Sequence, residues 1–77
     1  MGTRVNPGKF DCLNKVHPNE PIFILRGNDK LAPSLIAAWT DRAEQGGCRI
    51  EKVHEARQCA QDMLAWQRAQ GTGKMPD

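Results

Sequence analysis

Pro21-Ile22-Phe23-Ile24-Leu25-Arg26 reads as the one β-segment of this 77-residue chain. It is a short apolar run, rich in β-branched and aromatic residues and closed by the turn-forming Gly27-Asn28-Asp29. Ile22 and Ile24 would point to one face, and Phe23 and Leu25 to the other. A strand apolar on both faces calls for cover on both. A lone strand also leaves a row of N–H and C=O groups unpaired, an edge that natural proteins seldom leave open. Its partner is either the N-terminal stretch or the same strand of a second copy. The second arrangement makes the protein a homodimer or higher oligomer, with Ile22, Phe23, Ile24 and Leu25 at a two-fold interface. Trp66 is the aromatic candidate for the same interface.

Downstream of this segment the apolar period changes from two to between three and four. Leu31, Leu35, Ile36, Trp39 and Ala43 form a stripe at helical spacing. Asp29 is placed to cap this helix, and Pro33 falls in its first turn, where a missing N–H is harmless. Gly46-Gly47 ends it, with Gly46 as the expected left-handed cap. Ile50, Val53, Ala56, Cys59, Ala60, Met63 and Trp66 then mark a second helix, ended by Gly71-Thr72-Gly73. A two-glycine connection makes the pair an antiparallel hairpin. Upstream, Pro7, Gly8 and Pro18 disfavour regular structure, apart from a possible helical turn around Cys12–Val16.

The fold expected from the sequence is therefore α+β. It comprises an extended arm over residues 1–20, one strand over about 21–26, and a helical hairpin of about 30–45 and 50–68. The strand is paired between subunits, and a disordered tail occupies 71–77. All of this is one small domain. At this size the gain from apolar burial and the cost of ordering the chain nearly cancel, so self-association would help.

Composition narrows the function classes. Eleven basic residues against nine acidic ones give a net charge of +2. That is too small to argue for nucleic acid or an anionic membrane. No segment approaches the length of a membrane span and no leader stands at the N-terminus. Cys12, Cys48 and Cys59 cannot all pair within one chain, which fits free thiols in a reducing cytoplasm. Together with His17 and His54 they are the right types for zinc, but the spacings lack any C-x2-C or H-x3-H pair. No metal or cofactor is expected. Nucleophile-elbow, Walker and Rossmann patterns are absent, and so small a chain could hardly shield a preorganised site, so we read it as a non-enzyme. A helix-turn-helix reading is disfavoured because Glu51, Glu55 and Asp62 share the second helix with Arg49, Lys52 and Arg57.

One corner stands out as a binding candidate. Arg26-Gly27-Asn28-Asp29-Lys30 joins the strand to a helix N-terminus, where free amides and the helix dipole attract anions. Arg26 and Lys30 add charge, Gly27 permits close approach, and Asn28 lies in the turn between them. Lys9 joins the corner if the arm folds nearby. The plain alternative is a structural turn with solvated cations.

The run from Phe23 to Pro33 fits F-x-L-R-x-x-D-x-L-A-P. With Trp39, Glu51-Lys52-Val53-His54-Glu55-Ala56, Met63 and Trp66-Gln67, it resembles a group of small proteins encoded by tailed phages and prophages. The similarity spans about residues 20 to 67. The resemblance implies an origin rather than a mechanism, and it carries over no catalytic residue. Small phage proteins without catalytic motifs are often inhibitors of host defence. The expected function is thus a counter-defence binding protein in the bacterial cytoplasm. It would sequester a cyclic nucleotide signal or a host defence protein stoichiometrically. The alternatives are an accessory or assembly protein working through protein contacts and, less favoured, a DNA-binding regulator.

Overall fold

The computed structural model describes residues 1–11, 13–71 and 73–75. It contains a short 3-10 turn, Leu13–Lys15, and two helices, α1 (Ala32–Gln45) and α2 (Ile50–Gln70), packed together. Among the described residues there is no β-strand, only an isolated parallel bridge between Asp29 and Lys74. The α+β expectation is corrected to all-helical. Residues 21–26 form neither strand nor helix. Ile22, Phe23, Ile24 and Leu25 make no backbone hydrogen bond to any described residue. The physical reason lies in the reading itself, because β-propensity describes fit to a pleated, half-buried surface. Here no neighbouring segment supplies that surface, so the apolar run has nothing to pair with.

The hairpin follows from a seam of small residues. Val53, Ala56 and Ala60 of α2 are buried, as are Ala32, Pro33 and Thr40 of α1. Ile36, Ala43 and Met63, half-buried, extend the same lines. The positions 33, 36, 40, 43 and 53, 56, 60, 63 recur at alternating intervals of three and four, the spacing of a knobs-into-holes seam. Thr40 is wholly buried, and its hydroxyl donates to the Ile36 carbonyl at 2.7 Å, so no polar atom is orphaned. Across one edge of the seam Arg57 Nη2 meets Glu44 Oε2 at 2.6 Å and Asp41 Oδ1 at 3.5 Å. The hydrogen bond to Glu44 raises the guanidinium further above its ordinary range.

The connection is a Schellman motif. Gly47 N–H donates to Glu44 O at 3.1 Å and Cys48 N–H to Ala43 O at 2.9 Å. The left-handed residue is Gly47, at φ +83°, while Gly46 keeps φ −81°. The expected cap is thus displaced by one residue, because the last helical residue is Gln45 and Gly46 continues the right-handed turn.

α2 is seven residues longer than α1, about 10 Å at 1.5 Å per residue. Its last turns are covered by the turn at 26–31 and by the chain beyond Gly71. Gln67 Nε2 donates to Gly27 O at 2.9 Å and to Asp29 O at 3.0 Å. Lys74 N–H donates to Asn28 O at 3.1 Å, and Lys30 N–H returns a bond to Lys74 O at 2.8 Å. The segment read as a tail is therefore tied down at Gly73 and Lys74. Thr72, Pro76 and Asp77 lie outside the described residues.

The N-terminal segment meets the opposite end of α2 at Met1, which pairs with Glu55, and at Phe10, whose ring faces Arg49. The Met1 α-amino group pairs with the carboxylates of Asp11 and Glu55. Burial works against the charged amine, but hydrogen bonds to Asp11 and Glu55 outweigh it and raise its pKa. The same amine lowers the pKa of Asp11, helped by the Gly8 N–H.

Candidate functional site

The Arg26–Lys30 corner forms, but the chain uses its backbone donors itself. Asp29 N–H goes to Arg26 O at 3.0 Å, and Lys30 N–H to Lys74 O. Leu31 N–H is held by Asp29 Oδ1 at 2.8 Å, and Ala32 N–H by Asp29 O at 3.1 Å. Asn28 Oδ1 accepts from Gly73 N–H at 3.2 Å. The N-cap position is occupied by Leu31 with no side-chain cap, so Asp29 works two residues outside it, as an Asx turn leading into the helix. The amides of Asp29, Lys30, Leu31 and Ala32 are thus taken up in folding the turn. The Arg26 and Lys30 side chains are exposed. Gly27 sits against the far end of α2, where a Cβ would contact Met63 and the Trp66 ring at 3.7 and 3.8 Å.

Lys9 lies elsewhere. It lines a cavity of about 330 Å³ with Gly8, Phe10, Asp11, Asn14, Lys15 and Lys52, so a carboxylate stands among the three lysines. Lys52 is in the first turn of α2, and the Gly27 contact is at Met63. Eleven residues of helix, about 16 Å, separate the two places. Around this cavity the Phe10 ring carries Lys9 Nζ at 5.6 Å and the Arg49 guanidinium at 5.4 Å. The sequence singled out Lys9 without its companions, since Lys15 and Lys52 come close only through the fold.

The residues nominated for an interface are at the surface. Ile22, Phe23 and Ile24 are 54%, 84% and 67% exposed, and Trp66 is 54% exposed. Leu25 is half-buried. A second apolar surface was missed by the sequence reading. Leu31, Leu35 and Trp39, taken above as core stripe, are 41%, 51% and 46% exposed. At 100° per residue, Leu31, Leu35, Ala38 and Arg42 fall within about 60° of one another on α1, with Trp39 at their flank. The seam of Pro33, Ile36, Thr40 and Ala43 is centred about 150° around the helix. From α2, Lys52 Nζ lies 5.9 Å from the Trp39 ring at the flank of this ridge.

No family model matches the chain, and neither a curated protein nor a solved structure matches it.

The other candidates carry little chemistry. Cys48 and Cys59 are free, half-buried thiols, and burial raises the Cys59 pKa, which disfavours a reactive thiolate. Cys12 lies outside the described residues. No three His, Cys, Asp or Glu side chains cluster as metal ligands among the described residues. His17 Nδ1 accepts from Asn19 N–H at 3.1 Å in a surface turn, and His54 is exposed on α2. No helix is long and apolar enough to cross a membrane among the described residues.

Proposed function

We propose that this chain is a non-catalytic binding protein that captures a host defence protein through the Ile22-Phe23-Ile24 segment. The observation that carries the reading is the state of that segment. Three large apolar side chains stand out from the molecule, and their backbone groups have no partner among the described residues. Exposed apolar side chains clustered around an aromatic mark a docking surface more than a solvated loop. The likeness of residues 20–67 to small phage proteins supplies the setting, counter-defence in the cytoplasm of an infected bacterium. The test is plaque formation on a panel of bacterial strains, each carrying one defence system and expressing this chain. Wild type should restore plaquing on at least one strain. Phe23→Asp should abolish the rescue while Arg26→Ala/Lys30→Ala retains it. Rescue that survives Phe23→Asp, or no rescue on any strain, would overturn the reading.

A second reading, sequestration of a nucleotide signal, draws on the Lys9, Lys15 and Lys52 cavity. Its volume lies at the low end of ligand pockets. It predicts heat on titration with cyclic di- or trinucleotides, lost in Lys9→Ala/Lys52→Ala. A flat titration across the panel removes it.

A further inference from the structure

The cavity beside the first turn of α2 carries a surplus of positive charge. Lys9, Lys15 and Lys52 line it together with Asp11. None of the three lysines has a carboxylate partner among the described residues. We propose that this cavity binds the dianionic end of a phosphate monoester, such as a sugar phosphate or a nucleoside monophosphate, and reads the phosphate rather than the base. The inference goes beyond protein capture by the Ile22–Ile24 segment. It shares its cavity with the nucleotide reading, but it names a terminal monoester where cyclic nucleotides carry only diesters.

Charge selects the ligand class. The Met1 amine pairs with Asp11 and with Glu55, so two carboxylates share one cation. Asp11 also accepts from the Gly8 N–H at 2.7 Å. Set against the three lysines and the amine, these two carboxylates leave a surplus of two positive charges at the cavity. Arg49 and Glu51 answer each other at 3.6 Å and leave the balance unchanged. A phosphate monoester carries about −1.5 to −2 at neutral pH. A diester carries about −1 per phosphate and matches the surplus less well. Three ammonium groups around one cavity repel one another, and an anion between them relieves that repulsion. Arg49 stands at the N-cap of α2 with no side-chain cap and Lys52 lies in the first turn, so the positive end of the helix dipole adds to the same field.

Size and lining narrow the class. A volume of about 330 Å³ stands at the low end of small-molecule pockets, which run from about 300 to 1,000 Å³, and suits one sugar phosphate. Phe10 is the one aromatic lining the cavity among the described residues. Lys9 Nζ and the Arg49 guanidinium lie over its ring at 5.6 and 5.4 Å. A base could stack there only by displacing a cation, so the ring gives no ground for base preference. Asn14 adds a neutral side-chain amide, a donor and acceptor for a sugar hydroxyl.

The test is calorimetric titration of the purified full chain at low salt with AMP, ribose 5-phosphate, cyclic AMP and adenosine. AMP and ribose 5-phosphate should bind one to one, with similar Kd below about 1 mM. Cyclic AMP, which keeps the base and sugar but turns the monoester into a diester, should bind at least about fivefold more weakly, and adenosine should give no heat. Lys9→Ala, Lys15→Ala and Lys52→Ala should each weaken AMP about tenfold, the size of one charge-assisted hydrogen bond. Arg68→Ala removes the same charge about 24 Å further along α2 and should leave the affinity within about twofold. No saturable heat with AMP and ribose 5-phosphate would overturn the proposal. So would cyclic AMP or adenosine binding as tightly as AMP, or an Arg68→Ala loss equal to that of the lysine variants. The ligand comparison uses wild type alone, so it decides even where a variant fails to fold. Heat with cyclic di- or trinucleotides but none with AMP would sink this inference and keep the nucleotide reading; the reverse pattern would do the opposite.

Discussion

Val53 is the largest wholly buried apolar side chain among the described residues, and Val53→Ala measures how much of the stability resides in the α1–α2 seam. The substitution removes two methyl groups, about 1.6 kcal/mol of transfer free energy at about 0.8 kcal/mol each. The cavity left behind adds to that, because a seam held by alanines on either side cannot collapse without moving a helix. Alanine is the better helix former and returns about 0.6 kcal/mol. The net loss is about 1–2 kcal/mol. For a domain of this size, about 4–8 °C accompanies each kcal/mol, so the helical signal should melt about 4–15 °C lower. Urea unfolding followed at 222 nm should show a lower midpoint with an unchanged slope. Val5→Ala, at a side chain 87% exposed, is the control and should move the midpoint by less than about 0.5 kcal/mol. Equal effects at Val53 and Val5 would refute the seam as the structural core.

Further outcomes follow from the turn, the corner and the arm. Gly47→Ala should cost about 1–2 kcal/mol, because φ +83° is left-handed, whereas Gly46→Ala at φ −81° should be neutral or slightly stabilising; paired denaturation curves compare them. Gln67→Ala removes two half-buried hydrogen bonds to the 27–29 turn and should cost about 1–3 kcal/mol. It should also speed amide exchange at Lys30 and Lys74, so unchanged protection there would count against the turn geometry. The pH dependence has two arms. Asp11, lowered from 3.8, stabilises the fold above that value and loses its contribution as pH falls through the depressed pKa. The Met1 amine, raised from 8.0, contributes below that value and loses it as pH rises through the elevated pKa. Asp11→Asn should flatten the acid arm, and thermal midpoints between pH 2 and 10 read both.

The helices were legible because their signals are local. Pro33 in a first turn, a double glycine and a three-four apolar recurrence need nothing but chain geometry, and both helices begin and end within about two residues of the expected bounds. The strand was not legible as absent, since Ile22–Leu25 has the composition of a strand and lacks only a partner, which no local pattern encodes. The α1 stripe held at Ile36 and Ala43, which lie on the seam, and was misassigned at Leu31, Leu35 and Trp39 for a related reason. A stripe drawn through Leu31, Leu35 and Trp39 follows the largest side chains. The seam instead follows Pro33, Ile36, Thr40 and Ala43, because α2 presents Ala56 and Ala60 and demands close approach. Of the candidate corner, the turn itself was readable from Gly27-Asn28-Asp29, but the bonds by which Gln67 takes its carbonyls and Lys74 the Lys30 amide depended on residues about 40 positions away.

α1 is thus apolar on two sides, and the two are not interchangeable. The seam side is narrow and lined by small or polar residues, so α2 can come close but buries little area in doing so. The ridge side carries the bulk. A monomeric hairpin designed for stability would exchange the two, turning Leu35 and Trp39 inward and Thr40 outward. That arrangement is opposed at Pro33, buried in the first turn at the seam, and by the surface pairs of Arg57 with Glu44 and Asp41, which form only in the present rotation of α1. Releasing those pairs with Arg57→Ala should therefore let α1 rotate toward burial of Trp39. The expected readout is a blue shift of tryptophan emission without loss of helicity. A spectrum identical to wild type would show that the seam alone sets the rotation.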